Sequence, residues 1–191
     1  MITKIYIIVC ASIFVYINFI NKGDQLSCAM KLGAFYPPNL RENHEYWRFL
    51  TCNFIHIDFM HFFLNAYALY DLGTFFEQLL GPMSYLFLIL VSMILSSLMC
   101  YSASQLSYEH DYRITIGASG VVYGFFGAIC ALGFLLKGPF MSILNSFLWV
   151  IIVNVMYTLF NKRVSSTGHL GGFIGGVLGI VIILAMQRIL I

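Results

Sequence analysis

Six stretches of this chain, at about 2–20, 59–80, 83–103, 119–136, 140–160 and 168–191, are apolar over the length of a membrane crossing. A helix needs roughly 20 apolar residues to span the hydrocarbon core. In lipid the backbone must satisfy its own hydrogen bonds, so only helices and closed barrels cross. The six runs lack the alternation of barrel strands. The chain therefore reads as an all-α membrane protein with six transmembrane helices. The spans use most of the 191 residues, so one domain over 1–191 is expected. Composition points the same way, with 60% hydrophobic and 9% charged residues, against about 25% charged in soluble domains. Such a surface suits lipid. The net charge is +2, and Lys162-Arg163 is the one adjacent basic pair, so nucleic acid is not an expected partner.

The run after Lys4 is long for a signal-peptide core and no small-x-small site follows it, so it is expected to stay as a span. Cysteines stand at 10, 28, 52, 100 and 130, with no C-x-x-C pair and nothing resembling a zinc or iron–sulfur site. Cys28 and Cys52 could pair if their loop lies in an oxidising compartment. Gly81-Pro82 predicts a tight turn between spans two and three, and Gly138-Pro139 another between spans four and five. The segment 21–58 is mixed polar and aromatic, with Phe35, Tyr36, Tyr46, Trp47, Phe49 and Phe54. It is either a belt at the membrane–water boundary or a loop half-buried beside a site.

Polar groups inside spans are expensive and are functional candidates by default. Span two carries His61, Asn65, Asp71 and Glu77, span four opens on Gly117-Ala118-Ser119-Gly120, and span six opens on Gly168-His169. In an antiparallel succession the N-terminal ends of spans two, four and six lie on one side. His61, Asn65, Ser119 and His169 then share one depth. Glu77 is 16 residues beyond His61, roughly 24 Å along a helix, so it belongs elsewhere and takes a structural or interfacial role. Asp71 has no assigned role.

Small residues four apart let helices approach closely in lipid. Span six has two such rows, Gly168, Gly172, Gly176 and Gly171, Gly175, Gly179, and span four has Gly120, Gly124, Ala128. Packing through these faces would bring Ser119 beside His169. A serine hydroxyl becomes a useful nucleophile when a base within hydrogen-bond reach takes its proton, and the resulting oxyanion needs preorganised donors. His61 and Asn65, four apart, share a helix face. Tyr123, one turn after Ser119, could stack on His169 and fix its orientation. No carboxylate sits at the depth a triad would require, so a dyad is expected. Each residue also has a plainer reading. A serine opening a helix is ordinarily a cap, a histidine at a span end is ordinarily interfacial, and glycine rows ordinarily only pack. Coincidence at one depth favours chemistry over these readings.

The residues now match a known pattern. From about Trp47 to Gly179 the chain resembles the rhomboid intramembrane serine proteases of the six-span bacterial type. Trp47-Arg48 matches the family's Trp-Arg pair, His61 to Asn65 its H-x-x-x-N, Gly117-Ala118-Ser119-Gly120 its G-x-S-G with an aromatic following at Tyr123, and His169 to Gly176 its H-x-x-G-x-x-x-G. Gly168 stands where the family often has Ala. The resemblance implies Ser119 as nucleophile and His169 as general base. It implies an oxyanion hole from His61, Asn65 and the Ser119 N–H, with Gly117, Tyr123, Gly172, Trp47 and Arg48 in support. It implies single-span membrane proteins as substrates, the lipid bilayer as surroundings, and no metal or cofactor. It also implies an inner-membrane location with a cytoplasmic N-terminus and the site toward the periplasm. The basic-residue count taken alone points the other way, since Lys4, Lys137 and Arg188 would face the cytoplasm and Lys22, Lys31, Arg41, Arg48, Arg113, Lys162 and Arg163 the outside.

Two other readings compete. One is a non-catalytic relative that binds or escorts membrane clients, against which the retained serine and histidine argue. The other is a transporter or channel, which would need polar groups continuing across the bilayer. Spans three and five offer little beyond hydroxyls, Asn145 and Asn154.

Overall fold

The computed structural model describes residues 1–162 and 164–188. The expected end of the sixth span at 189–191, and Arg163, lie outside them. The described residues are nearly all helical, and the strand-like pairing among them is a single bridge, Phe35 to Thr115. The first apolar run forms α1 (Ile2–Val15), which ends in a π-helical turn, Tyr16–Ile20. The segment 21–58 folds into three short helices, α2 (Gln25–Leu32), α3 (Pro37–Glu42) and α4 (Arg48–Thr51). Then come α5 (Phe59–Ala68), a π-helical stretch Leu69–Gly73, and α6 (Thr74–Ser104). A short α7 (Tyr108–Asp111) precedes α8 (Ser119–Leu136), α9 (Gly138–Phe160) and α10 (Ser166–Met186).

Among the described residues, five helical stretches are long and apolar enough to cross a membrane, one of them Phe59–Ser104 with 46 residues. That one is broken at Gly81, where φ is 73° and ψ is 166°. These are left-handed-side angles that glycine adopts without steric cost, and Pro82 follows with no N–H to continue the ladder. The stretch is therefore two rods joined by a tight turn. The second turn, at Gly138, also has positive φ, shared with Lys137 before it.

α8 is the central helix: every residue from Gly120 to Ile129 is buried. A helix apolar all round belongs inside a bundle. α9 is its opposite, buried only at Leu144, Ile151 and Thr158, one narrow stripe with a seven-residue repeat. Most of its remaining surface is apolar, as suits lipid.

The two glycine rows of α10 serve different neighbours. Gly172 and Gly176 lie against the backbone carbonyls of Gly120 and Gly124 on α8, so close that a Cβ on either would collide with them. Gly171 and Gly175 lie against Leu95 and Ser92 on α6, where an added Cβ at Gly175 would come within 2.8 Å of Ser92 Cα. Sequence reasoning paired span six with span four through these rows. The structure gives one row to span four and the other to span three. Gly120 and Gly124 meet Ser96 and Ser92 as well, so three helices share a seam of small residues. With lipid as solvent, this close packing is the main attraction between helices.

Glu77 caps α1, accepting from the N–H groups of Ile2 (2.8 Å) and Thr3 (3.0 Å) and from the Thr3 hydroxyl (2.8 Å). A carboxylate at a helix N-terminus completes orphan donors and opposes the dipole. Its role is structural.

The segment 21–58 combines both readings offered for it. Tyr46 and Trp47 are exposed at its surface, while Cys52, Asn53, Ile55 and His56 are buried. Arg48 is buried too and holds the segment together. Its guanidinium donates to Met30 O (2.8 Å), Ala34 O (2.7 Å) and Glu45 Oε2 (2.5 Å) and lies over the Trp47 ring at 4.8 Å. That pairing holds the Glu45 carboxyl below the usual carboxylate range. Cys28 and Cys52 are not paired. Each is a free buried thiol in a different apolar cluster.

Candidate active site

The N-terminal ends of α5, α8 and α10 open onto one cavity of about 800 Å³, lined by His61, Asn65, Ser119, Tyr123 and His169. α5 forms one wall and α9 the other, through Phe147, Val150, Asn154 and Tyr157. The size suits a ligand of several hundred ångströms cubed.

Ser119 is the first residue of α8, and Ala118 takes the N-cap position. The plain reading of Ser119 as a helix cap therefore does not hold. Its Oγ lies 2.9 Å from His169 Nε2. The His169 ring is buried and stacked on Tyr123, with centroids 4.0 Å apart and planes 12° from parallel.

The other ring nitrogen, Nδ1, is 2.8 Å from Thr158 Oγ1. Thr158 donates its proton to Asn154 O (2.9 Å), and Tyr123 Oη sits 2.6 Å from the same carbonyl and 2.5 Å from Thr158 Oγ1. A hydroxyl has one proton and two lone pairs. With its proton used on Asn154 O, Thr158 accepts from His169 Nδ1–H. In that arrangement the Nε2 lone pair faces Ser119, as a general base requires. Thr158 thus stands where a triad has its carboxylate, and sequence reasoning missed it.

The loop before Ser119 is held from segment 21–58. Gly117 has φ of 109°, and a Cβ there would stand 2.5 Å from His61 Cε1. Gly117 N–H donates to Cys52 O (2.9 Å) and Ala118 N–H to His56 Nε2 (3.2 Å). The next donor, Ser119 N–H, is in the first turn of α8, where a helix supplies no acceptor. His56 was also missed. It is buried beside His61, with ring centroids 5.1 Å apart. Burial, then the neighbouring His61, pushes its pKa down to about 3, so it is neutral. Accepting at Nε2 leaves the proton on Nδ1, which has no partner among the described residues.

Asn65 is buried and donates from Nδ2 to His61 O (2.8 Å), which fixes its side chain along α5 on the cavity side. Gly172 lies behind the site, between α10 and the first turn of α8. Trp47 and Arg48 are outside the cavity lining and act on segment 21–58.

A serine paired with a buried histidine, in a cavity formed by helices apolar enough for a membrane, defines a multi-pass membrane protein with hydrolase-like geometry. The rhomboid domain family profile matches residues 43–186, and the chain belongs to the rhomboid family. It is 31% identical to RHOMBOID-like protein 5 of Arabidopsis thaliana over 170 residues, which cover 86% of this chain and 53% of that protein. It is 29% identical to Rhomboid protease GluP of Bacillus subtilis over 133 residues, 69% of this chain and 25% of that protein. It is 28% identical to Rhomboid-like protease 3 of Toxoplasma gondii over 152 residues, 78% and 55%. The chain spans about half the length, or less, of these relatives.

Proposed function

We propose that this chain is an intramembrane serine endopeptidase that cuts transmembrane segments of membrane proteins with a Ser119–His169 dyad. The observation that carries this reading is the 2.9 Å approach of Ser119 Oγ to His169 Nε2 inside the cavity. Ser119 Oγ attacks the scissile carbonyl as its proton passes to Nε2. The imidazolium then gives that proton to the leaving amine, and water, activated by the same base, releases the acyl group. Thr158 holds the tautomer, and the Tyr123 ring holds the imidazole plane. The oxyanion is met by the Ser119 N–H with Asn65 and His61, whose side chains line the same cavity. One domain over 1–191 carries this chemistry in six crossings. Its site faces the extracytoplasmic side of the cell's inner membrane, and its substrates are single-span proteins.

The test is covalent labelling. A fluorophosphonate should modify Ser119 in the parent chain, located by peptide mass, and should fail on His169→Ala, because the hydroxyl then has no base. Equal labelling of His169→Ala would remove His169 from its role. A parent chain that resists the probe at high concentration would favour the client-binding reading.

A further inference from the structure

The cavity continues past the dyad, and Asp71 lies on its wall. Among the described residues, three charged ones line this cavity: Asp58, Arg113 and Asp71. Two have work inside the chain. Asp58 caps α5, accepting from His61 N–H at 2.7 Å, and Arg113 donates to Lys162 O (2.8 Å) and Val164 O (2.5 Å). Asp71 has no hydrogen bond or ion pair among the described residues.

Its placement is built in. The π-helical stretch Leu69–Gly73 buries Leu69, Leu72 and Gly73 and leaves Asp71 exposed toward the cavity. Gly73 fixes the stretch from behind, since a Cβ there would come within 2.6 Å of Tyr85 Oη. Single π-helical turns recur at functional sites. Asp71 is six residues beyond Asn65 and ten beyond His61 on the same run, about 9 to 15 Å deeper along the helix. The other lining residues at that depth are Ala68, Leu72, Phe126, Phe147 and Val150. Tyr67, one turn before Asp71, lines the cavity as well and offers a hydroxyl, but none of these residues carries the positive charge that would neutralise a carboxylate. An acidic group in a span is costly and is retained where something neutralises it, and here that partner must enter the cavity.

We propose that Asp71 is a recognition subsite for a Lys or Arg side chain on the substrate's transmembrane segment, on the membrane-buried side of the scissile bond. This rests on the protease reading above. A planar or point cation neutralises the carboxylate in a low-dielectric wall, which a hydroxyl or amide does not. A substrate strand opened at Ser119 advances about 3.3 Å per residue and a helix about 1.5 Å. The cation therefore belongs between about three and ten positions from the cut.

The experiment uses the purified chain in liposomes and a single-span substrate with an all-leucine span below its cleavage site. Lys is moved through each of those positions in turn, and cleavage is compared with the Leu parent substrate. The expected result is a window of one or two positions at which Lys raises kcat/KM roughly five- to tenfold, the scale of a polar contact in a membrane. In Asp71→Asn that ratio should fall to about one. In Asp71→Lys the preference should move to a substrate bearing Glu at the same position, which separates recognition from any loss of folding. Lys and Leu substrates cut at equal rates throughout would overturn the subsite and leave the protease reading standing, as would a Lys preference that survives in Asp71→Asn. A parent chain that cuts none of the series would overturn the protease reading, and the subsite with it.

Discussion

Thr158 lies between a backbone carbonyl and the His169 ring, and with its proton on the carbonyl it accepts from Nδ1–H and leaves the Nε2 lone pair to face the serine. Thr158→Val keeps the side chain's shape and removes the acceptor, leaving His169 Nδ1–H short of a partner while Tyr123 Oη keeps the Asn154 carbonyl. Cleavage kinetics should show kcat down about tenfold, on the scale of one buried hydrogen bond, with KM little changed and Thr158→Ser near the parent. An unchanged kcat in Thr158→Val would mean that His169 needs no such support. Asn65→Ala should lower kcat by about 10², as expected for one oxyanion donor; a parent-like rate would mean other groups meet the oxyanion. Much of this site was legible before the fold. Ser119, His169, His61 and Asn65 stood out as polar residues at span ends, and Tyr123 followed from helical spacing. Thr158 did not stand out, because a hydroxyl in an apolar span is common and only the stripe Leu144, Ile151, Thr158 shows which way it points. His56 escaped because attention to polar residues inside spans passes over a histidine in the loop before one.

At the scale of elements, α10 carries the bundle and segment 21–58 carries the site's loop. Gly172→Val forces a side chain against the Gly120 carbonyl at the foot of the nucleophile's helix. Overpacking of this kind costs about 1–3 kcal/mol or more, so thermal stability and activity should fall together; a variant normal in both would contradict the close α8–α10 seam. His56 makes the loop pH-sensitive. Its pKa is about 3 in the fold against an ordinary 6.5, so between those values the unfolded chain binds a proton that the folded chain refuses. Stability should therefore be unaffected by His56 above pH 6.5 and fall as pH drops below it. Thermal melts from pH 7 to pH 5 should slope less steeply in His56→Asn than in the parent. An identical slope would mean that His56 is not the group titrating. The spans themselves were readable to within a few residues, and 119–136 coincides with α8. The sixth helix begins earlier than expected, at Ser166, because the Ser165 hydroxyl caps it by accepting from Gly168 N–H at 3.1 Å. The π-helical stretches and the short helices α2 to α4 have no apolar period to betray them.

For the whole molecule, the proposed insertion places segment 21–58 outside the cytoplasm against the simple count of basic residues. Within the fold, Arg41 pairs with Asp111 (2.5 Å) and Arg48 with Glu45, so two of those cations are engaged in holding the outer segment together. Single cysteines at Glu42 and Pro139, in a background lacking the native five, would report the orientation. An impermeant maleimide should reach the first and not the second in intact cells with a permeabilised outer membrane, and the reverse would invert the topology. The central claim, that Ser119 and His169 cut peptide bonds at membrane depth, is met most directly by one measurement. The purified chain in detergent is mixed with a single-span substrate, beside its Ser119→Ala form, and products are located by mass. The parent should make one cut in or next to the span and Ser119→Ala none, although both melt at similar temperatures. Cleavage by Ser119→Ala at the parent's rate would contradict that claim.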